Sequence, residues 1–114
     1  PRCIVFMHHE RRKFVRKLDY LTSPGNLDGP GARRRAGLPP GGITCVVTNM
    51  AVMRFDEDTK EMYLDRFYPG ITPQQVLEHM EFAVDISRAR PADPPTEEEL
   101  RILRGKCDPR RMQL

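Results

Sequence analysis

The sequence predicts an α/β fold: a partial open sheet, a long Gly/Pro loop, a β-hairpin and two short C-terminal helices. Three observations predict it. Ile4-Val5-Phe6-Met7 is a continuous apolar run, the pattern of a strand buried on both faces of a parallel sheet. Ile43 to Phe55 is rich in β-branched residues and meets a polar turn at Asp56 to Thr59. Thr72 and Thr96 each begin a segment with helix-start chemistry.

The elements follow in order. After the first strand, His8-His9-Glu10-Arg11-Arg12-Lys13 sits at its carboxyl end. Phe14-Val15 and Leu18 to Thr22 resume an extended pattern, with Leu18, Tyr20 and Thr22 on one face by the period of two. Ser23 to Gly42 holds six glycines and four prolines around Arg33-Arg34-Arg35. It reads as neither helix nor strand, and loops of this length in compact domains are functional or disordered. Leu27, Ala32, Ala36 and Leu38 supply apolar anchors, which favours an ordered loop packed on a body. Ile43 to Thr48 is a strand; Ala51 to Phe55 and Glu61 to Tyr68 are the arms of the hairpin. Thr72-Pro73-Gln74-Gln75 combines a cap, a proline at the first helical position and a capping box. Val84-Asp85-Ile86 reads as a short strand and Arg90 to Pro95 as a stiff connector. Thr96 and Glu99 form a second capping box, with Gly105 as the stop of that helix.

At 114 residues the chain is one small domain at most, and 39% hydrophobic residues is low for a self-sufficient globule. The opening Pro1-Arg2-Cys3 runs straight into the apolar strand, as expected of a chain that starts inside a domain. Residues 1–114 are therefore expected to be a single-domain fragment resting on a larger body. The net charge of +3 suits a small polyanion as well as a nucleic acid. Sparse aromatics and the lack of a recognition motif argue against nucleic acid. Cys3, Cys45 and Cys107 are an odd number without CxxC spacing, which argues against a disulfide framework and a zinc site. Buried free thiols in a reducing cytoplasm are expected instead. Neither a membrane span nor a signal peptide is visible.

His8-His9-Glu10 is the first candidate for chemistry, because ligands of open α/β sheets bind at strand carboxyl ends. Adjacent residues on an extended backbone point to opposite faces, so His8 and His9 do not converge on one metal, and a structural role is favoured. Arg33, Arg34 and Arg35 are either a solvated run or contacts for phosphate, which the planar guanidinium grips in two places. Ser23-Pro24-Gly25 and Pro40-Gly41-Gly42 offer backbone N–H groups for an oxyanion, although turn-making is the commoner use. Ser23, Gly25, Arg33, Arg34 and Arg35 are the candidate substrate contacts. No carboxylate is placed as a nucleophile: Asp56, Glu57, Asp58 and Glu61 fall at a hairpin tip, and Glu97 to Glu99 open a helix.

Several stretches, in order, carry a resemblance. They are His9-Glu10-Arg11-Arg12-Lys13-Phe14-Val15, Leu18 to Gly25, Ala36-Gly37-Leu38-Pro39 with Gly41-Gly42, and Val46 to Val52 with Phe55-Asp56. Tyr68 to Thr72, Pro95 to Leu100 and Asp108-Pro109 complete the set. Together they resemble the C-terminal half of the B-type subunits of family I coenzyme A-transferases of the glutaconate type. The resemblance implies two homologous α/β subunits with the active site between them. It implies covalent catalysis by a glutamate, through an acyl anhydride and a glutamyl-CoA thioester, and a Gly-rich oxyanion stretch. That glutamate and that stretch precede the strand at Ile4, so no catalytic residue is carried over to this chain. Coenzyme A is then a substrate, no tightly bound cofactor is expected, and the partners are an alpha-type subunit and the N-terminal portion of the same subunit. Relatives that open a steroid ring on a CoA-linked intermediate share the resemblance. A non-catalytic interaction module is the alternative of a different class.

Overall fold

The computed structural model describes residues 2–112. Five strands form one sheet in the order β1-β2-β3-β4-β5. They are β1 (Cys3–Phe6), β2 (Ile43–Val47), β3 (Ala51–Phe55), β4 (Met62–Phe67) and β5 (Arg90–Pro91). β1 and β2 are parallel, β2, β3 and β4 alternate as antiparallel neighbours, and β5 returns parallel to β4. The helices are α1 (Ala32–Arg35), α2 (Pro73–Glu78) and α3 (Glu97–Ile102), with a 3₁₀ turn at Arg11–Lys13 and a π-helical turn at Leu103–Cys107.

The register explains the core. Val5 pairs with Val46, Val46 with Met53 and Met53 with Leu64, which lays one apolar row across four strands. Successive side chains alternate faces, so this row marks the core side of the sheet. Val76 and Met80, from α2 and its end, pack on that side together with Phe14, Met50 and Ala51. Met53, Leu64 and Val76 have no exposed surface. The cap of α2 is as the sequence predicts: the Thr72 hydroxyl accepts from the Gln75 N–H, and the Gln75 side chain accepts from the Thr72 N–H. Thr96 and Glu99 reproduce the same box at α3.

Several expectations are corrected. β1 pairs in parallel, but it is not buried on both faces. Val5 packs on the core, whereas Ile4 and Phe6, on the opposite face, are 64% and 73% exposed because no described element packs on that face of β1. Residues 14–22 form no strand, since no neighbour offers them a ladder; only Phe14 is buried, and Leu18, Tyr20 and Leu21 are exposed. The Gly/Pro loop contains one helical turn, α1, entered through Gly31 at φ 73° and left through Gly37 at φ 74°. Glycine serves at both because a Cβ resists the left-handed region. Residues 84–86 contribute a single bridge, Asp85 to Tyr63, and no strand. Within the connector, Arg90–Pro91 joins the sheet as β5. Gly105 does not stop the last helix, which widens into the π turn and runs to Cys107. Cys45 is buried, but Cys3 and Cys107 are exposed; all three are free thiols. No helix of the described residues is long and apolar enough to cross a membrane.

Candidate functional site

The two ends of the parallel pair β1–β2 hold different constellations. At the carboxyl end, His9 is buried and His8 is exposed, the divergence expected of neighbours on an extended chain. The His9 backbone N–H donates to Asn49 Oδ1 at 2.7 Å. Its Nε2 lies 3.0 Å from the Val76 carbonyl, and its Nδ1 lies 3.1 Å from Thr48 Oγ1. A carbonyl only accepts, so Nε2 carries a proton, and the single Thr48 hydroxyl proton is shared between His9 Nδ1 and the Ala51 carbonyl 3.2 Å away. Thr48 Oγ1 in turn accepts from the N–H groups of Met50 and Ala51, which closes the tight turn between β2 and β3. Burial pushes the imidazole below its ordinary pKa; the bond to Val76 opposes this, and the nearby His79 adds to it. Phe14 packs on the ring with centroids 4.7 Å apart. His9 thus ties β1, the β2–β3 turn and α2 together as a neutral group, the structural role favoured from the sequence. Glu10 is drawn into exposed ion pairs with Arg12 at 2.6 Å and Lys13 at 3.0 Å, which hold its carboxyl down at about 2.

The opposite end carries the loop. Because β3 runs antiparallel to β2, the β3–β4 hairpin tip at Asp56 to Lys60 lies beside the start of β2, and the loop abuts it there. A Cβ on Gly29 would lie 3.6 Å from the Thr59 carbonyl, and one on Gly25 would lie 3.6 Å from Ile43 Cδ1. Five loop residues were expected to contact substrate, and the structure gives them different surroundings. Arg33 Nη1 donates to the Gly25 carbonyl at 2.6 Å, and its Nη2 and Nε donate to the Pro39 carbonyl at 3.0 and 3.3 Å. Arg35 donates to the Pro30 carbonyl at 3.2 Å. Two of the three guanidiniums are therefore engaged in holding the loop's own backbone. Arg34 is exposed and lines a groove of about 410 Å³ with Asn26, Leu38, Pro40 and Lys60. Ser23 is exposed, and Gly25 adopts φ 54°. Lys60, which sequence reasoning passed over, faces the loop from the hairpin tip. Its only local signal is its place in a polar turn, where it takes φ 61° and donates its N–H to the Asp56 carbonyl at 2.9 Å.

A third cluster lies along β4. Arg88 pairs with Asp56 and sits over the Tyr63 ring, 4.3 Å from its centroid. The Arg88 hydrogen bond, aided by the N–H groups of Thr59 and Asp58, holds the Asp56 carboxyl well below the ordinary carboxylate range. No group of three or more His, Cys, Asp or Glu among the described residues is arranged to hold a metal.

Comparison with known proteins places this geometry. The family model described as Coenzyme A transferase matches residues 1–79. The B-type subunit of glutaconate CoA-transferase from Acidaminococcus fermentans is 45% identical over 107 residues, 93% of this chain and 40% of that protein. The B-type subunit of 3-oxoadipate CoA-transferase from Pseudomonas knackmussii is 30% identical over 90% of this chain and 40% of its own length. The IpdB component of the cholesterol ring-cleaving hydrolase of Mycobacterium tuberculosis is 28% identical over 93% of this chain and 42% of that protein. Among solved structures, glutaconate coenzyme A-transferase from Acidaminococcus fermentans superposes with a TM-score of 0.85 at 45% identity, over 93% of this chain and 41% of that one. Rhodococcus jostii RHA1 IpdAB superposes with a TM-score of 0.80 at 25% identity, over 97% of this chain and 45% of that one. The chain thus spans about two fifths of the length of the curated relatives it matches. On the family model and the ordered identity together, the chain belongs to the coenzyme A transferase family.

Proposed function

We propose that this chain is the C-terminal part of the B-type subunit of an enzyme that moves coenzyme A between an acyl-CoA and a carboxylic acid, in complex with an alpha-type subunit. The 45% identity to the B-type subunit of a glutaconate CoA-transferase, sustained across 93% of the chain, carries this reading. In the proposed reaction a glutamate carboxylate outside this segment attacks the thioester carbonyl, giving an acyl–glutamyl anhydride and CoA thiolate. The thiolate then attacks the glutamyl carbonyl, releasing the acid and leaving glutamyl-CoA. The second acid reverses both steps. Coenzyme A is a substrate here, with no tightly bound cofactor, and three free thiols fit a cytoplasmic protein.

Residues 1–114 form one portion of a larger subunit domain in this reading. The exposed Ile4 and Phe6 on edge strand β1 support it, because parallel strands are normally covered on both faces. Of the loop residues, Ser23, Gly25 and Arg34 are proposed as the side facing substrate. Arg33 and Arg35, engaged with loop carbonyls, are proposed as braces.

The test uses the complete reading frame, expressed with its alpha-type partner and given an acyl-CoA and a carboxylate acceptor. Transfer yields a new acyl-CoA, and acyl-CoA alone leaves a CoA thioester on one glutamate, detectable by mass. Consumption of a CoA-linked ring substrate with water and no new thioester would assign the hydrolase chemistry named for the IpdB relatives. A complex with neither activity nor adduct would be the non-catalytic module.

A further inference from the structure

We propose that the groove between α1 and the β3–β4 hairpin tip is a phosphate-binding site that takes the nucleotide end of coenzyme A, gripped by Arg34 and Lys60. This rests on the transferase reading above and adds the place, the second cation and the part of the ligand.

The groove encloses about 410 Å³, and its lining includes Arg33, Arg34 and Lys60 with no acidic residue. Arg33 is committed to the Gly25 and Pro39 carbonyls. Neither Arg34 nor Lys60 has an ion-pair partner among the described residues. Two unpaired cations on facing walls, without a carboxylate between them, favour an anion. The acids of the adjoining depression, which shares Asn26, Gly41 and Lys60, are Asp56 and Glu57, and Asp56 is neutralised by Arg88.

The backbone of both walls is held by hydrogen bonds within the chain. Arg33 staples the loop across α1, and Lys60 is held at φ 61° by its N–H bond to Asp56. A charge presented on an ordered turn loses less freedom on binding than one on a mobile loop. Leu38 and Pro40 give the groove an apolar side. A ligand with phosphates and a flat apolar ring matches cations beside an apolar wall, and the 3′-phosphoadenosine end of coenzyme A has both. Arg contributes a planar fork and Lys a point charge, two complementary ways to hold phosphate oxygens.

The experiment uses the complete two-subunit complex and adenosine 3′,5′-bisphosphate as the probe, titrated calorimetrically at low and moderate salt. Acyl-CoA kinetics are run in parallel. Arg34→Ala and Lys60→Ala should each weaken the bisphosphate about tenfold, the size of one charge-assisted hydrogen bond. They should raise KM for acyl-CoA while leaving kcat and the KM for a pantetheine thioester unchanged. Lys60→Arg should restore binding. If Arg34→Ala/Lys60→Ala binds the bisphosphate as wild type does at low salt, the site is refuted even though transfer proceeds. If the complex transfers no CoA but loses bisphosphate binding in the double variant, the site stands and the transferase reading falls.

Discussion

Arg33 donates to the carbonyl of Gly25 at 2.6 Å, across a loop that separates the two by eight residues. The same guanidinium reaches the Pro39 carbonyl, so one side chain closes both arms of the Gly/Pro segment. The loop's arms are thus joined by a side chain and not by an apolar core. Arg33→Ala should cost about 1.5–3 kcal/mol, the range for hydrogen bonds that involve a charged group. Limited proteolysis should then cut within residues 24–41. Arg34→Ala, one position along, should leave both the stability and the cleavage pattern unchanged.

His9 gives a pH dependence with a defined sign. Burial lowers its folded-state pKa below the ordinary 6.5, so the unfolded chain takes up the proton first. The stability it contributes is complete above pH 6.5 and is lost as pH falls from there through the lowered folded-state value. Denaturant titrations at pH 8 and pH 5.5 should show wild type losing more stability than His9→Gln. That variant keeps a polar side chain and does not titrate. Equal losses in the two proteins would assign the acid sensitivity to another group.

The two capping boxes are alike in geometry and unlike in consequence. Thr72→Ala should lower global stability by about 1 kcal/mol, because α2 presents Val76, fully buried, to the core. Thr96→Ala should fray α3, which has no buried residue, with little change in global unfolding. Circular dichroism beside denaturant titration separates the outcomes.

Leu64 and Phe6 test the two faces of the sheet. Leu64→Ala removes a side chain with no exposed surface and should cost about 2–5 kcal/mol. Phe6→Ser should be nearly neutral in the 114-residue chain, where the ring is 73% exposed, and should make that chain less prone to aggregate. In the larger B-type subunit proposed above, where further chain would cover β1, the same change should be strongly destabilising. A neutral effect there would mean that this face stays open.

The amino-acid sequence by itself determined the elements whose cause is local. Both capping boxes, the hairpin from Ala51 to Phe55 with its return arm, and the strands at Ile4 and Ile43 follow from side-chain chemistry within a few residues. The order of motifs also determined the family. Tertiary structure alone decided what depends on distant neighbours. The alternation at Leu18, Tyr20 and Thr22 yields no strand, because a ladder needs a partner and none is adjacent. β1 is exposed on one face because burial is a property of what packs on it. Gly105 fails to stop the last helix because a C-terminal glycine only permits a left-handed turn. The fates of Arg33, Arg34 and Arg35 are indistinguishable in a run of three identical residues. One turn of helix sends the first to carbonyls eight residues back and six ahead, and leaves the second in the groove opposite Lys60.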